Sequence, residues 1–112
     1  MVDTPQGPVT VVATHLTFIP GWNAVQLRRL VRMVRDLPRP VVVMGDLNLE
    51  QPAAVRLSRM SPLASAPTFP VDAPRRQIDH ILADGPIRAT DGRAVDTGLS
   101  DHRALVADVV VG

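Results

Sequence analysis

Three short segments of this chain are apolar on both of the faces that a β-strand would present, and this feature limits the fold more than any other. They are Val9–Ala13, Val41–Met44 and Leu105–Val111, in which only Thr10 and Asp108 are polar. A strand with one face in water alternates apolar and polar residues, whereas a strand that is apolar throughout is typical of a sheet covered on both sides. The sequence therefore predicts a sheet with a packed layer on each face.

The helices predicted from the sequence can supply only one of these two layers. We expect a helix from Asn23, which can cap it, to about Leu37, because apolar residues recur there at helical spacing and arginines fall on the opposite side. A short second helix is expected from Gln51-Pro52, with proline in its first turn. The second layer must then come from another part of a longer chain or from a partner.

The remaining segments predict strands and one long loop. Pro8–Leu16 and Gln77–Ala83 are expected to be strands, and Ile87–Val95 is expected to be a weaker strand or a hairpin around Asp91-Gly92. Residues 61–73 are rich in proline and show no periodicity, so we expect a loop. The predicted fold class is α/β (α+β), with one mixed sheet and two helices on one face. At 112 residues the chain corresponds to at most one small domain.

The composition excludes several classes of protein. The chain has no cysteine, which excludes disulfides and thiolate zinc sites, and no apolar stretch long enough to span a bilayer. The net charge of +1 is too small to predict nucleic-acid binding, and we interpret the arginines of the first helix as a solvated face. Residues 1–8 lack the basic flank and apolar core of a signal peptide, so a cytoplasmic location is expected unless a lost N-terminal part carried a signal.

Polar residues suited to phosphate chemistry end or follow the apolar segments. The four strings are Thr14-His15-Leu16, Gly45-Asp46-Leu47-Asn48, Gln77-Ile78-Asp79-His80 and Ser100-Asp101-His102. If the segments are neighbouring strands, these groups can converge on one edge of a sheet. A cluster of Asp, Asn and His side chains at such an edge is suited to a magnesium-dependent phosphoryl site.

The four strings, in this order and at these spacings, resemble the endonuclease/exonuclease/phosphatase superfamily. This superfamily includes deoxyribonuclease I, exonuclease III, the inositol polyphosphate 5-phosphatases and the bacterial sphingomyelinases. The resemblance implies a four-layer α/β/β/α sandwich in which two sheets lie face to face. It covers nearly the whole chain but only the C-terminal half of the family domain, so residues 1–112 are expected to form a single partial domain.

The resemblance implies a role for each of five polar residues. Asp46 and Asn48 correspond to the pair that contacts the metal, the attacking water and the scissile phosphate. Asp101 corresponds to a second-site metal ligand. His102 corresponds to the catalytic imidazole, and Asp79 to the carboxylate that fixes its tautomer and stabilises its cation.

Other polar residues are less constrained by the resemblance. His15 matches an additional catalytic His of the deoxyribonuclease and sphingomyelinase branches, where exonuclease III-type enzymes have a Tyr. Arg76 lies in a loop that resembles a substrate-facing loop and can clamp a phosphate, although a solvated loop arginine is equally consistent with the sequence. His80 alternates away from Asp79 in its strand, so we expect a structural role. We expect Glu50 to belong to the first turn of the second helix.

The resemblance also implies partners that the chain itself does not supply. The N-terminal half of the family contributes an Asn and a Glu that is the principal metal ligand, and no matching motif precedes Val9. We therefore expect a fragment of a metal-dependent phosphoester hydrolase, acting as a phosphodiesterase, nuclease or phosphatase by in-line attack of water. The cofactor implied is Mg²⁺, with Mn²⁺ as the alternative.

Two further questions stay open at the level of sequence. The alternative function is that of a catalytically inactive half-domain that serves as an interaction or structural module. The expected partners are a phosphoester substrate (nucleic acid, lipid head group or small phosphate ester) and either the missing half or a second copy bound through an exposed sheet face. The sequence does not identify the substrate or the number of metal ions.

Overall fold

A computed structural model describes all 112 residues and contains a five-stranded mixed sheet, a separate two-stranded ribbon and two helices. In chain order the elements are β1 (Val2–Thr4), β2 (Gly7–His15), α1 (Trp22–Val34), β3 (Val41–Asp46), α2 (Gln51–Ser58), β4 (Ser61–Pro62), β5 (Asp79–Asp84), β6 (Ile87–Val95) and β7 (Ala104–Val111). The two helices have 13 and 8 residues. Neither is long and apolar enough to cross a membrane.

The order of the strands brings the ends of β2 and β3 to one edge of the sheet. The five strands lie in the order β1-β2-β3-β5-β4, and the two-stranded ribbon is formed by β6 and β7. Strands β2 and β3 are parallel and are joined through α1, whereas β5 pairs antiparallel with β3. Their register places His15 beside Asp46, and Asp46 beside Asp79. Three of the predicted site residues are therefore neighbours across the sheet.

Both helices pack on one face of the five-stranded sheet, as the sequence predicted. The buried residues on this side are Leu16, Leu27, Val34, Val41, Val43, Leu47, Ala54, Met60 and Leu82. Leu27, Leu47 and Leu82 are fully buried because side chains of α1, the β3–α2 turn and β5 meet there. The predicted fold class, a mixed sheet with two helices on one face, is confirmed.

The other face of the sheet is covered in part by the β6–β7 ribbon of the same chain. Val9, Val42, Leu63 and Ala83 are buried on this side and pack against apolar residues that include Ile87, Ala107 and Val111 of the ribbon. An apolar cleft of about 210 Å³ remains between sheet and ribbon. The expectation that this face has no cover from the chain itself is therefore wrong.

Val43 faces the helices and not the ribbon, for a simple geometric reason. Residues along a strand point alternately to the two faces, so Val41 and Val43 face the helices while Val42 faces the ribbon. In a run of four apolar residues the sequence does not show which face each one takes. Val11 and Val109, by contrast, are 37% and 40% exposed on the ribbon side.

Several predicted boundaries need correction. Helix α1 begins at Trp22 after Gly21 and ends at Val34, so Asn23 lies inside the helix and does not cap it. Strand β5 begins at Asp79 rather than at Gln77. The loop expected over residues 61–73 contains the two-residue strand β4, because Ser61 and Pro62 pair with β5.

The segment Ile87–Val95 is one strand and not a hairpin around Asp91-Gly92. It pairs with β7 along its whole length. The register shifts between Ala89 and Asp91, and this irregularity lets the strand continue through Asp91-Gly92. Gly92 is required here because a Cβ at this position would lie 2.8 Å from the Cα of Ala64. Asp91-Gly92 therefore marks a close contact between the ribbon and the loop after β4.

Candidate active site

The candidate site lies where β2 and β3 end and β5 begins. One glycine allows β2 and β3 to approach each other closely at this point. Gly45 has a φ of 137° on β3, and a Cβ there would lie 1.8 Å from the carbonyl oxygen of Thr14. Any other residue would need a left-handed backbone and would push β2 and β3 apart. Gly45 thus allows His15 and Asp46 to sit side by side at the edge of the sheet.

Asp46 lies at the centre of the site with its two carboxylate oxygens in different surroundings. Oδ1 accepts a hydrogen bond from the backbone N–H of Asn48 at 2.9 Å, which fixes the side chain. Oδ2 lies 3.5 Å from Nε2 of His15 and 3.7 Å from Nε2 of His102. One oxygen therefore holds the turn after β3, and the other faces two imidazole rings.

His102 is oriented by the hydrogen bond that the sequence predicted. Its Nδ1–H donates to Oδ2 of Asp79 at 2.7 Å, so that Nε2 points towards Asp46. Partial burial lowers the pKa of His102, but the hydrogen bond to Asp79 and the charges of Asp79, Asp46 and Asp101 together outweigh it, so the pKa is raised. The ring is therefore more readily protonated than an ordinary histidine.

The proline-rich loop before β5 holds the segment that carries His102. The backbone N–H of Arg103 donates to Thr68 O at 2.7 Å, and that of Val71 donates to Asp101 O at 2.8 Å. The ring of Phe69 packs against the ring of His102, with centroids 4.9 Å apart. The loop expected to face the substrate thus also positions the imidazole, a contact that the sequence did not reveal because the two segments are over thirty residues apart.

Asn48 joins the turn after β3 to its two neighbouring segments. Its Nδ2 donates to Leu16 O at 2.9 Å, and its own carbonyl oxygen accepts from Nδ2 of Asn23 at 2.9 Å. The backbone is left-handed at Asn48, with a φ of 50°, a conformation that asparagine tolerates better than most residues. One side-chain N–H and the side-chain oxygen of Asn48 have no protein partner.

Asp101 and Arg76 are not members of the group formed by Asp46, Asp79 and His102. Asp101 is exposed, and its carboxylate lies 3.4 Å from the hydroxyl of Ser100. Arg76 forms an ion pair with Glu50, with Nε 2.9 Å from Oε1. Their proposed roles as a metal ligand and a phosphate clamp stay predictions.

Glu50 differs from its expected position in the first turn of a helix. It is the residue just before α2 and makes no capping hydrogen bond. Its carboxylate instead accepts from Nε of Arg76 and, at 3.3 Å, from the backbone N–H of Gln77. Glu50 therefore ties the start of α2 to the segment that leads into β5.

His80 is separate from the site, in agreement with the structural role expected for it. The residue is 1% exposed, and its Nε2 lies 2.6 Å from Leu49 O. Burial lowers the pKa of His80, and its contact with Leu49 and the nearby carboxylates only partly offset this. His80 thus stays neutral and supports the turn behind Asp46.

Three side chains of the site could together hold a metal ion. Asp46, Asp79 and His102 each offer one ligand atom, and these atoms lie within 4.8 Å of one another. Two carboxylates and an imidazole suit a divalent cation, and the carboxylate oxygens match the preference of Mg²⁺ and Mn²⁺. Because Asp79 and His102 are already bonded to each other, Asp46 Oδ2 is the group most available to a cation.

Comparison with protein families identifies the class to which the chain belongs. The model of the Endonuclease/Exonuclease/phosphatase family matches residues 2–102. The chain therefore belongs to this family, and the resemblance inferred from the four sequence strings is confirmed. Among curated proteins none matches the sequence.

Solved structures show the same fold over most of the chain. A conserved protein of unknown function from Enterococcus faecalis has a TM-score of 0.76 at 21% identity, with 91% of this chain and 50% of that chain covered. An endonuclease/exonuclease/phosphatase from Beutenbergia cavernae has a TM-score of 0.69 at 25% identity, with 99% and 38% covered. A mannosyl-6-phosphatase from Bacteroides thetaiotaomicron has a TM-score of 0.59 at 17% identity, with 89% and 50% covered. The chain spans half or less of the length of each of these proteins.

Proposed function

We propose that this chain carries the imidazole and carboxylate part of the active site of a divalent-metal-dependent phosphoester hydrolase. The observation that carries the proposal is the arrangement of His102 between two carboxylates, 2.7 Å from Asp79 and 3.7 Å from Asp46. An oriented imidazole beside a free carboxylate is the arrangement that acid–base catalysis of hydrolysis needs. Membership of the family supports phosphoesters as the substrate class.

Each polar residue of the site has a task in this proposal. Asp46 activates the attacking water: Oδ2 is the oxygen left for a cation, and Oδ1, which keeps a lone pair beside the N–H of Asn48, accepts the proton of the water. His102, protonated and held by Asp79, donates from Nε2 to a phosphoryl oxygen as negative charge develops there. Asn48 uses its remaining N–H for a second phosphoryl oxygen, where a carboxylate would repel the substrate. His15, 3.5 Å from Asp46, stabilises that carboxylate and lines the approach to it.

The proposed cofactor is Mg²⁺, with Mn²⁺ as the alternative. When bound, such an ion polarises a phosphoryl oxygen and lowers the pKa of a coordinated water. Asp46 would hold it, with Asn48 beside it and Asp101 available for a second ion. The only glutamate of the chain, Glu50, is paired with Arg76 and is not a member of the group formed by Asp46, Asp79 and His102. We therefore propose that a complete metal site needs residues from the other half of the family domain.

Metal binding by the chain gives the first test of this proposal. We expect Mn²⁺ to broaden the NMR signals of the His15 and His102 rings first, with weak affinity because few ligands are present. Asp46→Asn should remove the broadening, whereas Asp108→Asn, an exposed acid on β7, should leave it unchanged. Broadening that survives Asp46→Asn would place the metal elsewhere.

Hydrolysis gives the second test, and it separates the enzyme from the inactive half-domain. The chain is joined to the N-terminal half of the Beutenbergia cavernae relative, and hydrolysis of bis-p-nitrophenyl phosphate and p-nitrophenyl phosphate is measured with Mg²⁺. We expect turnover that is lost in His102→Ala and kept in Asp108→Asn. A fusion protein that unfolds cooperatively and binds Mn²⁺ but hydrolyses neither compound would favour the inactive module.

A further inference from the structure

A stripe of large apolar side chains lies in solvent beside the candidate active site. It consists of Phe18, Ile19, Trp22, Val25 and Met33, which are between 36% and 79% exposed. Two of the three aromatic residues of the chain belong to this apolar stripe. Single apolar residues are ordinary on a protein surface, whereas a contiguous set marks a site of interaction.

The geometry of α1 places three of these residues on one side of the helix, together with the exposed Arg29. With 3.6 residues per turn, Trp22, Val25 and Met33 fall on one outward side of the helix, opposite the buried Leu27 and Val34. Phe18 and Ile19 precede the helix directly. The apolar stripe therefore runs from the end of β2 along α1, and Arg29 interrupts it between Val25 and Met33.

Hydrogen bonds fix the loop that carries the first part of this stripe. The backbone N–H of Thr17 donates to Oε1 of Gln26 at 2.8 Å, and that of Asn23 donates to Ile19 O at 3.3 Å. Asn23 also donates from its side chain to Asn48 O at 2.9 Å. The loop is thus tied to the candidate active site, and Phe18 and Ile19 are held outward by ordered backbone.

The apolar stripe is continuous with the candidate active site. An open cavity of about 390 Å³ is lined by His15, Leu16, Thr17, Phe18, Gln26 and Asn48. Phe18 therefore shares a wall with two residues to which we have given roles in hydrolysis. Gln26 was not predicted as a site residue, because the sequence does not show that its side chain contacts the backbone of Thr17.

A set of arginines flanks the apolar stripe on the side of α2. Arg28, Arg32 and Arg35 of α1 and Arg59, which follows α2, line a groove of about 340 Å³. The arginines that form ion pairs with carboxylates are others, namely Arg39, Arg76 and Arg93. Neither α1 nor α2 contains an acidic residue. This arginine flank therefore keeps its positive charge available to an external anion.

We propose that the apolar stripe and the arginine flank dock the protein on an anionic phospholipid bilayer. Apolar and aromatic side chains bordered by arginines are the composition of surfaces that lie in the membrane interface. Phe18 and Trp22 offer rings on which a nucleic-acid base could stack, but Ile19, Val25 and Met33 do not, and this larger non-aromatic share favours lipid over nucleic acid. Docking in this way brings the cavity beside His15 and Asn48 to the membrane surface.

The arginines alone have a simpler explanation, but the complete surface does not. Arginine in the last turn of a helix stabilises the helix dipole, and this accounts for Arg32 and Arg35. It does not account for Arg28 in the middle of α1 or for an apolar stripe next to the arginines. The combination of both features on α1, with Phe18 of the stripe also lining the cavity beside His15, is what points to a membrane surface.

The single tryptophan of the chain makes this proposal directly measurable. We mix the full chain with vesicles of phosphatidylcholine alone, or with about a quarter of phosphatidylserine to give an anionic surface, and follow flotation and Trp22 fluorescence. The expected result is flotation with the anionic vesicles and a blue shift as Trp22 enters the interface. Flotation is used because it separates bound protein from any aggregate.

Variants with matched controls test the two parts of the surface. Arg28→Gln with Arg32→Gln should weaken binding to anionic vesicles about 25-fold, since each arginine near such a surface contributes about a fivefold factor. Phe18→Ser should weaken it about tenfold through lost apolar burial. Arg88→Gln on β6 and Val2→Ser on β1, both exposed and both outside this surface, should change it less than about twofold.

Three results of the vesicle experiment would contradict docking on a bilayer. Absence of flotation, flotation without a blue shift of Trp22, or equal losses in the control variants would overturn it. Tighter binding to a single-stranded DNA oligonucleotide than to anionic vesicles, lost with the same arginines, would assign the surface to nucleic acid instead. His102→Ala should leave vesicle binding unchanged, so failure of the proposed hydrolysis would not be mistaken for failure of docking.

Discussion

The site edge and the ribbon-side cleft are built on the same three strands, β2, β3 and β5, yet they differ in how completely they are assembled. At the site edge, Asp46, Asp79 and His102 each contact at least one of the others at 3.7 Å or less. On the ribbon side, an apolar cleft of about 210 Å³ stays open between sheet and ribbon. One region is closed by short-range polar contacts, and the other lacks part of its packing.

The difference follows from where each region obtains its neighbours. The site edge is set by strand register, which places His15, Asp46 and Asp79 in one row. The cleft depends on a ribbon that has no strand pairing with the main sheet. Register is fixed by backbone hydrogen bonds, whereas a covering layer must supply enough apolar volume to fill the space. We therefore expect substitutions at the edge to have larger effects than substitutions in the cleft.

The largest effect is expected at Gly45. Gly45→Ala places a Cβ against the backbone of Thr14 and imposes a positive φ on alanine, so it should destabilise the fold by about 3 kcal/mol or more. Urea unfolding followed by circular dichroism measures this loss. Gly98→Ala is the matched control, since Gly98 also has a positive φ but a Cβ there meets nothing within 4 Å. Equal losses in the two variants would show that φ alone, and not the contact between β2 and β3, is responsible.

The next effect concerns the orientation of His102. In the fusion protein described above, Asp79→Ala should lower the rate of hydrolysis about 10²-fold, because the ring loses the group that fixes its tautomer. A ¹⁵N NMR spectrum of the His102 ring should show loss of the proton fixed on Nδ1. A rate change of less than about threefold would contradict the role of this pair in acid–base catalysis.

The two faces of β3 each bury a valine, so the packing on the two sides of the sheet can be compared with the same substitution. Val42 and Val43 are neighbours, 4% and 1% exposed, but Val43 faces the helices and Val42 faces the ribbon. Val43→Ala should cost about 2 kcal/mol of unfolding free energy, and Val42→Ala about 1 kcal/mol, because the open cleft lets neighbouring groups relax. Urea unfolding of both variants measures the difference. A larger loss for Val42→Ala would mean that the ribbon side is packed as tightly as the helix side.

The sequence predicted which polar side chains are neighbours better than it predicted the layers, for reasons visible in particular residues. His15, Asp46 and Asp79 end or begin apolar strands, so neighbouring strands suffice to bring them together. Asp101 and His102 lie in the loop between β6 and β7, whose path the sequence does not specify, and the role of Asp101 as a metal ligand stays a prediction.

The sequence did not predict how the helices and the ribbon cover the sheet, because this depends on contacts between residues that are far apart in the sequence. Val42 and Val43 lie in an unbroken apolar run, and such a run shows burial without showing which residue faces which layer. Asp91-Gly92 has the composition of a hairpin turn, yet pairing with β7 holds it in a strand. Glu50 was expected to serve the helix after it, but its partner Arg76 lies 26 residues away.

The smallest effect is expected at the ribbon-side cleft, where exposed apolar groups should bind a hydrophobic dye or a second copy of the chain. Val11 and Val109 line the cleft and are 37% and 40% exposed. Contiguous apolar surface left in water favours association, and these two valines leave part of the cleft in contact with water.

We expect ANS fluorescence and weak, concentration-dependent association in sedimentation velocity. Val11→Thr with Val109→Thr should reduce both, because the substitutions keep the side-chain shape and add a hydroxyl to the cleft. Val25→Thr, a substitution of the same kind in the apolar stripe on the helix side, is the control and should leave association unchanged. A dye-negative monomer would show that the ribbon closes the sheet in solution. The site edge and the cleft would then differ in having polar or apolar side chains, and not in how completely they are packed.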